Sequence, residues 1–136
     1  MRRSASEIIR NLEMRIARLE RQASEKIDVQ IEFRESWKED IKDVFIYFQT
    51  DDDNLAQMVS SYFDGTWKSE HPRTSVSLGH YSDRRQGIDL RTVDISIRSA
   101  DVGSVGQRGY LKKIEKAFDK IDKGGFKSRV VRKIQN

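Results

Sequence analysis

Two histidines, His71 and His80, and three consecutive aspartates, Asp51-Asp52-Asp53, are the side chains best suited to proton transfer or cation binding in this sequence. Their spacing supports neither role. A zinc site calls for histidines one helical turn apart or a His-Glu-x-x-His run, and a calcium loop calls for a regular series of acidic ligands. The sequence has none of these patterns. His71 stands between Glu70 and Pro72, which reads as a solvated loop position. His80 ends a predicted strand ahead of Tyr81, Asp83, Arg84 and Arg85, where it could join a site at a hairpin tip. The aspartates precede an apolar-periodic segment, and carboxylates at a helix start are expected from the macrodipole alone. Gly103-Ser104-Val105-Gly106-Gln107-Arg108-Gly109 also precedes a helical segment, where backbone N–H groups can face an anion. It lacks the Lys-Ser/Thr pair of a phosphate loop and the glycine spacing of a dinucleotide fingerprint. The absence of cysteine excludes disulfides, thiolate metal sites and a cysteine nucleophile. No catalytic residue, metal ligand or cofactor is assigned, and the chain reads as a non-enzyme.

Cations offer a different chemistry. Lys and Arg number 26 against 22 Asp and Glu, a net charge of +4. That balance mildly favours an anionic partner. The groups that could meet phosphates are Arg84-Arg85, Lys112-Lys113, and the set Lys127, Arg129, Arg132 and Lys133. Electrostatic binding to RNA or DNA requires only that such side chains cluster. Over much of the chain the two signs interleave, as on a solvated face.

Elements must position these groups, and the first is a helix predicted over about residues 5 to 25, some 30 Å long at 1.5 Å per residue. Ser4 with Glu7 has the form of a capping box. Ile9, Leu12, Ile16 and Leu19 recur at spacings of three, four and three, the a/d seam of a heptad. So narrow a stripe cannot cover a globular core, and the partner it suits best is another copy of itself. Arg15-Ile16-Ala17-Arg18-Leu19-Glu20 resembles the Arg-h-x-x-h-Glu motif of short trimeric coiled coils. The resemblance implies that Arg15 reaches the neighbouring chain's Glu20 while Ile16 and Leu19 fill the core, favouring three chains over two. The preceding heptad departs from that pattern, with Ile8 where Arg belongs.

Residues 1–25 therefore form one unit, an oligomerisation helix, and residues 26–136 a second, a small α+β domain. Ile27, Val29, Ile31 and Phe33 alternate with polar residues as a half-buried strand. Val44-Phe45-Ile46-Tyr47-Phe48 is a continuous apolar run, read as the central strand with both faces covered. Leu55, Met58, Val59, Tyr62 and Phe63 mark a helix that Gly65 should stop, leaving Thr66 to Thr74 as a loop. Val76, Leu78 and His80 give a third strand, and Val93, Ile95 and Ile97 a fourth that pairs with it as a hairpin. Ser99 to Gly109 reads as a loop, and Tyr110, Leu111, Ile114, Phe118 and Ile121 as a second helix ended by Gly124-Gly125. The tail from Phe126 suits an edge strand or a short helix.

The expected product is an α+β sandwich: a two-layer antiparallel sheet with two helices in the order ββαββα, ferredoxin-like if the tail is a strand. Such a split sheet is similar to the RNA-recognition fold, where Phe45 and Tyr47 could stack bases. The fourth strand departs from that family, because Thr92, Asp94, Ser96 and Arg98 offer no aromatic. Trp37 and Trp67 are possible interface anchors if exposed. No stretch reaches the length of a membrane span and no apolar signal core opens the chain, so a soluble cytoplasmic or intracellular protein is expected, virion-associated forms included. Two functions follow as expectations. The leading one is a non-enzymatic homo-oligomeric structural or assembly module, of the kind found among viral accessory and structural proteins, presenting a repeated surface to an unidentified protein. The other is a basic, oligomeric RNA- or DNA-binding protein.

Overall fold

A computed structural model describes residues 26–131 as a five-stranded sheet with its helices on one face. The seam residues Ile9, Leu12, Arg15, Ile16, Leu19 and Glu20, with Arg132 and Lys133, lie outside the described residues. The elements run β1 (Ile27–Glu35), β2 (Ile41–Thr50), α1 (Asp53–Tyr62), β3 (Thr74–Asp83), β4 (Ile88–Asp101), α2 (Gly106–Ile121) and β5 (Phe126–Val130). Their order across the sheet is β3-β4-β2-β1-β5, with β2 in the middle place expected of it.

The period-two pattern decides which side chains enter the core. Val29 and Ile31 on β1, Val44, Ile46 and Phe48 on β2, and Val93, Ile95 and Ile97 on β4 share the helix-facing side and are buried. From the helices come Ala56, Val59 and Phe63, then Tyr110, Ile114 and Phe118. Phe118 ties the two layers together, with ring centroids 6.0 Å from Phe48 and 5.2 Å from Phe63. Burying each such side chain contributes about 1.5–3 kcal/mol of transfer free energy, so this cluster dominates the stability of the domain.

Four expectations need correction. The tail is a strand, yet β5 pairs with β1 in parallel, so the sheet is mixed and not antiparallel throughout. Nor is the order ferredoxin-like, because β1 inserts between β2 and β5 and separates the strands that the split arrangement makes neighbours. Ile27 and Val29 need cover on one face only, and a place between two strands satisfies both edges of their backbone. Strand β2 is covered on one face only: Phe45 and Tyr47 point to the helix-free side and are half-buried. Gly65, finally, does not stop α1. The chain continues through a π-helical turn, Phe63–Trp67, and a last helical turn, Lys68–Glu70. Val59, Phe63 and Trp67 are spaced by four, and the wider π turn keeps the later members of that series facing the core where an α-helix would rotate them away.

Strand β4 also runs further than its sequence suggests, to Asp101, through a bulge. Lys42 pairs with Ala100 and Val44 with Ile97, so β4 carries one extra residue there. Ser99 absorbs it at φ 51°, a left-handed conformation uncommon outside glycine. Its N–H, left without a ladder partner, donates to Asp43 Oδ1 at 2.9 Å. The bulge restores the buried side for Ala100 after Ile97. Among the described residues no helix is long and apolar enough to cross a membrane.

Candidate functional site

The predicted cationic groups fall on three separate surfaces. Arg84 and Arg85 occupy the tip between β3 and β4, at one edge of the sheet. Lys127 and Arg129 sit on β5 at the opposite edge, four strand spacings or roughly 19 Å away. Arg129 is engaged there by Asp28 at 3.0 Å. Lys112 and Lys113 are exposed on α2, in the helical layer. The sheet's helix-free face, with Phe45 and Tyr47 at its middle, carries both signs of charge. Arg34 lies over the Phe45 ring at 4.4 Å and donates to Glu32, and those hydrogen bonds raise its already high pKa. Partial burial beside Tyr47 raises the Asp94 carboxyl above its ordinary value. A phosphate strand on this face would meet Glu32 and Asp94 as well as Arg34.

His80 is exposed, and its Nε2 meets the Asp89 carboxylate across the hairpin. That contact staples one strand to its neighbour. Among the described residues no group of His, Asp and Glu side chains is placed to hold a metal ion.

His71 is where the residues converge. It is not a solvated loop residue: its ring stacks on Trp67, centroids 4.0 Å apart and 12° from parallel. The backbone N–H of His71 donates to the Trp67 carbonyl at 2.9 Å, and Nδ1 lies 3.1 Å from the same oxygen. A carbonyl only accepts, so this hydrogen bond places a proton on Nδ1. Trp67 is 5% exposed, buried by the π turn that carries it into the core, whereas Trp37 in the β1–β2 connection is 76% exposed.

Two cavities meet at this stacked pair and share Glu70, His71 and Lys113. One, of about 420 Å³, lies between the end of α1 and the outer face of α2. Lys113, Lys116 and Lys120 line it, and their i, i+3, i+7 spacing puts all three on one helix face over about 10 Å. Glu70 is the only carboxylate in its lining. The second, of about 350 Å³, opens towards the β4 bulge and is bordered by Arg73, Arg98, Ser99 and Tyr110. Among the described residues none of Lys113, Lys116 and Lys120 forms an ion pair. Beneath the cavities, Tyr110 Oη and Trp67 Nε1 are buried without a hydrogen-bond partner. Burial pushes the Tyr110 phenol well above its ordinary pKa of 10.0, so it stays a protonated donor throughout the neutral range.

Sequence reasoning found Lys113 and missed the rest of this groove. Lys112-Lys113 stands out as an adjacent pair, yet neighbours along a helix face different ways. The signal that would have found it is the helical period linking Lys113, Lys116 and Lys120. The His71–Trp67 stack was hidden because Gly65 predicts a stop. No family model matches this chain, and neither a curated protein nor a solved structure does.

Proposed function

We propose that this protein is a non-enzymatic, self-associating assembly module. The amino-terminal segment gathers copies of the chain, three in preference to two, and the α+β domain is the surface each copy presents to a partner. One observation supports this reading: among the described residues the core is already filled from the sheet and its helices. The helix-facing side of the sheet is covered by α1 and α2, and among the described residues the buried apolar side chains come from residues 29 to 118. The helix-free face offers Phe45 and Tyr47 among Gln30, Glu32, Arg34, Asp94 and Ser96, too polar a surface to match a ridge of four aliphatic side chains. Apart from Trp37, the exposed large apolar residues among those described are Met58 on α1, Leu78 and Tyr81 on β3, Val105 before α2 and Val130 on β5. The ridge is therefore complementary to sister chains, where Ile at a and Leu at d interlock knobs into holes. Trp37, with three-quarters of its surface in water, is the natural anchor for a protein partner.

Light scattering on the double variant Ile16→Lys/Leu19→Lys tests this. Two charges in the seam should reduce the particle to a single chain while the domain keeps its circular dichroism. A variant that keeps the wild-type mass refutes the seam.

A further inference from the structure

We infer that the groove between the end of α1 and the outer face of α2 binds a single-stranded nucleic acid, its phosphates along Lys113, Lys116 and Lys120 and a base against His71. The assignment concerns each domain by itself and does not depend on self-association. Three ammonium groups that form no ion pair among the described residues, set in a line over about 10 Å, match a linear polyanion better than a single ion, which needs donors that converge on one point. Glu70 is the one carboxylate lining the lysine groove, and it lies where the two cavities meet. Beyond that junction Arg73 and Arg98 line the second cavity together with Asp101, so cations still outnumber carboxylates there.

Charge alone would suit any polyanion, and the aromatic floor makes the choice. A row of lysines beside a stacking platform is how strand-binding grooves hold bases without reading their sequence. His71 supplies such a platform. Its ring is held flat on Trp67, fixed by the Nδ1 bond to the Trp67 carbonyl, and borders both cavities. Among the described residues the Tyr110 hydroxyl and the Trp67 indole N–H are buried beside this floor without a hydrogen-bond partner. A cleft of about 420 Å³ between helices takes one backbone and not a duplex.

Fluorescence anisotropy of a labelled oligouridylate with the full-length protein, measured over a series of salt concentrations, tests the assignment. Wild-type protein should bind at low salt with affinity falling steeply as salt rises. The variant Lys113→Gln/Lys116→Gln/Lys120→Gln should lose at least tenfold, and its salt slope should shrink by about 2, from roughly 0.7 per phosphate contact on a single strand. His71→Ala should lose about fivefold or more, the lower end of one base–aromatic stack. Arg84→Gln/Arg85→Gln, far from the groove, should bind like wild type. In a Trp37→Phe background the emission of Trp67 should change on binding. The assignment is overturned if wild type shows no binding at low salt, or if the triple-lysine variant keeps its affinity and slope. It is equally overturned if inorganic polyphosphate or a duplex competes as well as the single strand while His71→Ala binds normally.

Discussion

At the residue scale, two glycines show how far sequence punctuation can be read. Gly65 stands where a helix stop is expected, yet the chain passes through it in a π turn, with open space where a side chain would go. Gly124 lies in the turn that follows α2, whose C-cap is the extended Asp122, and takes φ +78°, in the left-handed region that an L side chain adopts only at a cost. The same substitution should therefore act in opposite directions. Gly65→Ala should stabilise by about 0.5–1 kcal/mol through better helix propensity, and Gly124→Ala should destabilise by about 1 kcal/mol or more. Urea midpoints of the two variants check this. Tyr110 gives a second residue-scale prediction. Its folded pKa is raised, so the neutral phenol is favoured in the folded state, and the resulting stability is fully present below its ordinary pKa of 10.0. Above that pH the unfolded chain ionises first and stability falls. Thermal melts of Tyr110→Phe should show less alkaline destabilisation than wild type, with no loss at pH 7, since the lost hydroxyl had no partner. The local sequence could not announce the π turn at Gly65 or the burial of the Tyr110 hydroxyl, because each is set by what a distant element packs against it.

Element by element, the order and type of strands and helices from β1 to α2 were legible from periodicity, while the tail that forms β5 suited a strand or a helix equally. Ile27-Val29-Ile31-Phe33 and Val93-Ile95-Ile97 announced β1 and β4, and Tyr110-Ile114-Phe118 announced α2. How the strands pair was not legible. Period two says which face a residue takes and nothing about its neighbour, so the insertion of β1 between β2 and β5 had no local signature. The bulge in β4 was hidden for a related reason: Arg98-Ser99-Ala100 breaks the alternation and looks like the start of a loop. Its partner is Asp43, more than fifty positions away in sequence. Asp43→Ala should strand the Ser99 amide and destabilise by about 1–3 kcal/mol, while Asp43→Asn, which keeps an acceptor oxygen, should recover most of that. Chemical denaturation of the pair distinguishes a bulge held by this acceptor from one held by packing alone. Because Arg98 and Ser99 border the cavity beside His71, the bulge also shapes that end of the groove.

At the scale of the whole molecule, the described residues of the domain bury their apolar side chains within the sheet and two helices. On the proposed reading the Ile/Leu ridge pairs with other copies, and copies multiply a weak surface. Three lysine grooves on one particle would engage a strand with far greater avidity than one groove. The ridge is an expectation from spacing, and the Arg15–Glu20 pairing one that the coiled-coil resemblance implies; both lie outside the described residues. The groove was half legible, Lys113 by its neighbour and Lys116 and Lys120 only once the helix is drawn. Sedimentation equilibrium of the full chain beside a chain beginning at Ile27 tests the central claim most directly. The account predicts three times the 15.9 kDa chain mass for the first and a folded single chain for the second. A full-length chain that sediments as one copy across the micromolar range contradicts it.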